Sequence, residues 1–292
     1  AFAEIPAWHP AVDTVIPVAL RRWRRRPLQH FGGPEWRQFT TALHRRHYNA
    51  VIDAQGLLKS AFVARLVRAP RYGLDRESVR EKLATLVYHH RINVPRDMHA
   101  VERTRMLFSR VMKYPLPEEP VDYGVRAKLK TGADKLPASL LFFHGTARSE
   151  KLWPEENWMT LADLAVTHGY NIWLPWGDQR ERDRAERIAA GRDRVQVLPR
   201  LDLRGLATML MEVNGAVAVD TGLGHLSAAL DVPTVSLYGP TSTELIGAYG
   251  GNQCCIQSPI GPSDSSDAQA MMRSITADSV WLKLTNLLRE SS

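Results

Sequence analysis

The sequence has little cysteine and no long apolar run. Its two cysteines, Cys254 and Cys255, are chain neighbours. Adjacent thiols rarely bridge and do not have metal-ligand spacing, which argues against a disulfide scaffold or a cysteine-held metal. Two reduced thiols of a cytoplasmic protein are expected instead. No stretch approaches the ~18 apolar residues of a membrane span. The chain opens Ala1-Phe2-Ala3-Glu4, with neither Met nor a charged-then-apolar leader. Its start therefore reads as an artificial boundary or an incomplete beginning.

Acidic charge is scarce in one half. Residues 1–130 hold 24 Lys and Arg against 12 Asp and Glu, net +12; the remainder holds 14 against 19, net −5, within a whole-chain +7. This asymmetry points the first half at something anionic: nucleic acid, a membrane surface or a phosphorylated substrate. The 292 residues, 44% hydrophobic and 24% charged, fit a soluble globular protein of two domains.

In the first half, Ala50-Val51-Ile52-Asp53-Ala54 reads as a buried strand ending in a Gln55-Gly56 turn. Helices are expected over 57–67, 76–89 and 100–112. Three prolines between 114 and 124 and the polar stretch to Pro137 read as a linker. The second half has a clearer rhythm. Strands are expected at 139–143, 171–174, 195–198, 216–219 and 234–238, and helices at 155–167, 180–190, 203–212 and 223–230. This alternation indicates βαβ units and a parallel sheet. A polar loop at 261–268 and a last helix over 276–289 complete the reading. There is no short-period repeat and no low-complexity tract.

In doubly wound sheets ligands sit at the carboxyl ends of strands, and the unusual residues of the second half fall there. His144-Gly145-Thr146 and Lys151 follow the first strand, just before Pro154 and the next helix. A hydroxyl, a glycine and a lysine beside a helix start suit a phosphate. Pro175-Trp176-Gly177-Asp178 follows the second strand, and Glu181 opens the next helix, where a carboxylate accepts from a ribose diol. Asp220-Thr221-Gly222-Leu223-Gly224-His225 follows the fourth strand and runs straight into a helix whose N–H groups suit a diphosphate. Taken singly, each residue has a plainer reading: Asp220 as a helix cap, Lys151 as a solvated charge, Glu181 as a first-turn dipole partner, His225 as an ordinary helix-start histidine. Their shared placement favours a site. Asp-Thr-Gly also occurs in aspartic proteases, but there in an all-β setting.

At this point the chain resembles a family. Phe143-His144-Gly145-Thr146 with Lys151 and Trp153-Pro154-Glu155, Leu174-Pro175-Trp176-Gly177, Val219 to Leu226, and Tyr238-Gly239-Pro240-Thr241 resemble glycosyltransferase family 9. Asp53 to Ser60 and His99 to Arg105 resemble its heptosyltransferase I branch. The resemblance runs the whole length in order. It implies an α/β chain of GT-B type, two Rossmann-like domains facing a cleft. Residues 1–130 would bind the acceptor, 131–275 would bind ADP-heptose, and a helix at 276–292 would be free to pack back on the first domain. The implied reaction is inverting transfer of L-glycero-D-manno-heptose from ADP-heptose to Kdo of Kdo2-lipid A, with no metal and no cofactor. Transfer of a later heptose, or ADP-sugar binding without catalysis, are the alternatives.

By position, the resemblance gives Thr146, Lys151, Glu181, Leu201, Asp220, Thr221, Gly222 and His225 to the donor. Lys151 would stabilise the diphosphate, Glu181 hold the ribose and Asp220 the heptose. Two departures from the family pattern are Ala147, where a second Thr is common, and Leu201, where a Met would face adenine. The basic half would meet the carboxylates and phosphates of the acceptor through Arg21, Arg24, Lys59, Arg80, His99 and Arg103. It would also touch an anionic inner-membrane surface from the cytoplasmic side. Nucleic acid is disfavoured, because no recognised nucleic-acid module surrounds the arginine run. The general base of the family, an Asp in a loop after the first strand, would lie upstream of Ala1, about one βαβ unit away. Neither Asp53 nor Asp220 is assigned that role.

Overall fold

The computed structural model describes residues 2–129, 136–261 and 267–291. The chain divides into two units, Val12–Glu119 and Pro120–Ser292, the second also taking in Phe2 and Glu4–Ala11. The units divide at 119/120, eleven residues before the expected 130/131. The reason for the N-terminal exchange is Trp8. Its ring is buried with Val125, Leu129 and Leu210 in the second unit, and Lys128 Nζ donates to the carbonyl of His9 at 3.0 Å.

The first unit holds a parallel sheet of β1 (Val51–Asp53), β2 (Arg71–Leu74) and β3 (His90–Ile92), in that order. Helices Leu58–Arg65 and Ala100–Met112 form where expected. The expected helix over 76–89 does not. A turn at 75–79 and a short 3-10 helix, Lys82–Val87, lead into β3. Its apolar side chains are split: Ala84 is buried, whereas Leu83 and Leu86 are 64% and 75% exposed. No continuous apolar stripe is left to bury on a longer helix.

In the second unit, β4 (Ser139–Phe143), β5 (Asn171–Leu174), β6 (Val195–Val197), β7 (Gly215–Val219), β8 (Thr234–Tyr238) and β9 (Gln253–Gln257) form one parallel sheet in the order β6-β5-β4-β7-β8-β9. This is the doubly wound Rossmann order, with its switch point between β4 and β7. Side chains alternate between two cores, as the period of two requires. Leu140 and Phe142 face helices Glu155–Thr167, Gln179–Ala189 and Ala277–Glu290; Leu141 and Phe143 face helices Leu203–Glu212 and Gly222–Ala229. With both faces covered, β4, β7 and β8 are buried along their length, hence their unbroken apolar runs.

The final helix takes a definite place. Val280, Leu284 and Leu287 sit in the core of the second unit against Leu161 and Val235, so its apolar stripe is used within that unit. The edge strand β9 carries the two cysteines, both free and half-buried, and burial raises both thiols above the usual range. Of the expected loop at 261–268, residues 262–266 lie outside those described, as do 130–135 of the expected linker. Among the described residues, no helix is long and apolar enough to cross a membrane.

Candidate functional site

The sequence-predicted donor residues lie after four strands of the second unit, and direct contacts join those after β4, β5 and β7. After β4, Thr146 Oγ1 donates to the backbone carbonyl of Asp220 at 3.2 Å. Lys151, closing a short 3-10 turn after β4, donates from Nζ to Asp220 Oδ2 at 2.5 Å, both side chains being largely shielded at 15% and 13% exposure. The sequence reading places Lys151 and Asp220 on different parts of one ligand; here they also neutralise each other. Thr221 starts helix Gly222–Ala229 without spending its hydroxyl on the helix end. Gly222 and His225 are exposed on the first turn. Gly224 lets that helix approach the sheet: a Cβ there would come within 3.3 Å of Ala218 and 3.2 Å of Ser236 Oγ.

After β5, Asp178 caps helix Gln179–Ala189, accepting from the N–H of Glu181 at 3.0 Å. The Glu181 carboxylate turns back and accepts from the N–H of Gly177 at 2.7 Å. It lies against Gly145, where any Cβ would collide with it. Sequence reasoning missed this role of Gly145 and Gly177, although both lie in the quoted motifs. After β6, Leu201 is half-buried against the second core. The loops after β5 and β6 are tied by Trp176 Nε1, which donates to the carbonyl of Leu198 at 2.7 Å.

Two further residues carry no sequence signal for their setting. His144 is fully buried, and neither ring nitrogen has a well-formed partner among the described residues. Burial, with the Arg184 guanidinium adding to it, pushes its pKa down to about 4, against the pull of the Pro175 backbone and Glu155. Arg184 donates to the carbonyl of Trp153 and stands 3.7 Å from Glu155.

The acceptor candidates of the first unit have several local settings. Lys59 and Arg80 line one groove of the first unit with Leu57, Leu58 and Phe62. His99 caps helix Ala100–Met112, accepting from the N–H of Val101 at 3.2 Å. Arg103 donates to the carbonyl of Ser78 at 2.6 Å. The side chains of Arg21 and Arg24, on helix Leu20–Arg25, lie outside those described. Asp53 is fully engaged. Its Oδ1 accepts from the N–H groups of Gln55 and Gly56 at 2.9 and 3.2 Å, and its Oδ2 from Ser60 Oγ and Tyr88 OH at 2.8 and 2.7 Å. The carboxylate holds the turn that presents Lys59. A cavity of about 900 Å³ beside it has a mainly aliphatic wall of Val51, Ile52, Val63, Ala64 and Val67, unlike the polar cluster of Thr146, Lys151 and Asp220 at the switch point.

The model of glycosyltransferase family 9 (heptosyltransferase) matches residues 36–275. The chain belongs to that family. Lipopolysaccharide heptosyltransferase 1 of Pseudomonas aeruginosa is 52% identical over 253 residues, covering 86% of this chain and 71% of that protein. Among solved structures, E. coli heptosyltransferase WaaC with ADP is 41% identical with a TM-score of 0.90, covering 98% of this chain and 87% of that one. The same E. coli protein with ADP-2-deoxy-2-fluoro heptose is 40% identical with a TM-score of 0.85, covering 100% and 87%. The two parallel α/β units are the GT-B fold of these family 9 enzymes, and the chain is a glycosyltransferase.

Proposed function

We propose that the chain transfers L-glycero-D-manno-heptose from ADP-heptose to Kdo of Kdo2-lipid A, with inversion, in building the lipopolysaccharide inner core. The observation that carries the donor half is the convergence of Thr146, Lys151, Asp220 and the start of helix Gly222–Ala229 at one switch point. The relatives' names, and the fluorinated ADP-heptose bound to one of them, support the sugar and the nucleotide. A Kdo hydroxyl loses its proton to a base, its oxygen bonds the anomeric carbon, and the bond to ADP breaks as the electron pair leaves on the diphosphate. The charge that develops is therefore on phosphate oxygens. Lys151 and the N–H groups of the helix start stabilise it, while Glu181 holds the ribose and Asp220 the heptose.

Lys151 must leave Asp220 or bridge from it to serve the diphosphate. With ADP-heptose bound, the lysine charge has a dianionic diphosphate as partner, and the Asp220 carboxylate is freed for sugar hydroxyls. In this reading residues 1–130 serve the acceptor. Lys59 and Arg80 supply positive charge to its carboxylates and phosphates, at an anionic membrane surface on the cytoplasmic side. The test has two parts. Calorimetry with ADP should show binding that Lys151→Ala weakens by the ~1.5–3 kcal/mol of a charge-assisted contact. Mass spectrometry on the protein with the residues that precede Ala1, where the base is expected, should show a heptose added to Kdo2-lipid A in the presence of ADP-heptose. Equal ADP affinity in the variant removes Lys151 from the diphosphate; heptose added only to an already heptosylated acceptor makes this a later transferase.

A further inference from the structure

Arg184 is a buried charge that the transfer reaction does not use. Its side chain is 12% exposed, and its Nε has no partner among the described residues. Burial lowers its pKa, with Glu155 opposing. An arginine so placed is poorly explained by stability, because a well-packed apolar side chain usually serves a core better than a buried charge with an unmet donor. What the charge does supply is one oriented bond, from Nη2 to the carbonyl of Trp153.

Trp153 stands two residues after Lys151. It is held from two further directions. Its indole N–H donates to the carbonyl of Ile275 at 2.9 Å, and its ring packs edge-on to Trp158 with centroids 4.9 Å apart. On the other side, Glu155 accepts two bonds from Arg187, at 2.8 and 2.7 Å. Helix Gln179–Ala189 thus reaches across to the Lys151 loop through Arg184 and Arg187. The same helix carries Glu181 one turn before Arg184, and residues three apart share a helix face. One rigid helix therefore carries both the nucleotide carboxylate and the clamp on the lysine loop.

We infer that Arg184 is a positioning residue for donor binding, fixing the Trp153 carbonyl so that Lys151 is set at the distance a nucleoside diphosphate requires. This rests on the reading of Lys151 as the diphosphate contact. A clamp of this kind acts only through the residue it sets, and this separates it from a merely structural role.

The test is a double-mutant cycle in the full chain, with ADP as the probe and calorimetry as the readout. Arg184→Met should weaken ADP about tenfold, the size of one lost charge-assisted contact. In a Lys151→Ala background the same change should have almost no effect, because coupled residues are non-additive. Arg184→Lys, which keeps the charge but not the planar fork, should fall between wild type and Arg184→Met; it also serves as the cycle partner if Arg184→Met does not fold. If Arg184 and Lys151 effects simply add, the clamp is overturned while the diphosphate reading stands. If Lys151→Ala alone leaves ADP affinity unchanged, both fall.

Discussion

The two units use the same α/β alternation with very different degrees of closure. In the second, three central strands are buried along their length and the sheet separates two apolar cores. In the first, the three short strands are only partly buried and β3 is mostly exposed. A closed sheet fixes its strand ends, and the donor candidates sit on those ends. The first unit instead fixes its loop by polar bonds, four of them on Asp53. The same family of folds thus fixes one set of loops by packing and another by a hydrogen-bonded carboxylate.

The largest effect that would sharpen this contrast is one of pH, confined to the second unit. The His144 pKa of about 4 lies below the ~6.5 of an unfolded histidine. The unfolded chain therefore binds the extra proton between these values. The stability involved is fully present above pH 6.5 and is lost as pH falls towards 4, by about 3 kcal/mol in all. Urea midpoints across this range should fall more steeply for wild type than for His144→Asn. Parallel curves would mean that His144 does not titrate in this way.

Next is Tyr88→Phe in the first unit. It removes one of four bonds from a carboxylate that is 5% exposed, a loss of about 1–3 kcal/mol. Hydrogen exchange should rise in β1 and in helix Leu58–Arg65, while ADP affinity stays at the wild-type value. A matching loss of ADP affinity would break the division of labour between the units.

Gly145→Ala tests the packed site directly. The new methyl collides with the flexible end of Glu181, so the fold can yield cheaply while the ribose contact proposed for Glu181 suffers. ADP should weaken by the ~0.5–1.5 kcal/mol of one hydrogen bond, with an almost unchanged melting temperature. A large fall in melting temperature would show that the collision is with the core instead. The smallest effect is expected for Lys59→Ser with Arg80→Ser. Exposed charges contribute ~0.2–1 kcal/mol each and are screened over ~8 Å at physiological salt. The acceptor KM should rise a few-fold at low salt and converge with wild type at high salt. An unchanged KM at low salt would make the pair a solvated surface.

The difference between the units also explains what could be read in advance. The strands Ser139–Phe143, Asn171–Leu174 and Thr234–Tyr238 and the helices Glu155–Thr167 and Leu203–Glu212 match their expected bounds to the residue. There the apolar runs are long, and the turns are marked by Gly, Pro and Asp. Where burial is partial, pattern reading was less reliable, although helix Ala100–Met112 also matches its expected bounds. Residues 76–89 carry apolar residues at loose helical spacing but form a turn and a short 3-10 helix. The strand β9, Gln-Cys-Cys-Ile-Gln, is polar at both ends and only its pairing with β8 makes it a strand.

By itself the sequence determined the alternation of elements in the second half, the strand ends that carry the candidate residues, and the family, because these depend on local apolar runs, on turn residues and on motifs a few residues long. Tertiary structure alone decided that β4 and β7 are neighbours, which brings Lys151 to Asp220 across 69 positions of chain. It also decided that Trp8 leaves the first unit for the second, that Glu181 folds back on Gly145, and that Arg184 reaches Trp153. Each of these joins residues distant in sequence, and their pairing depends on which faces the sheet order leaves to be covered. No local pattern encodes that order.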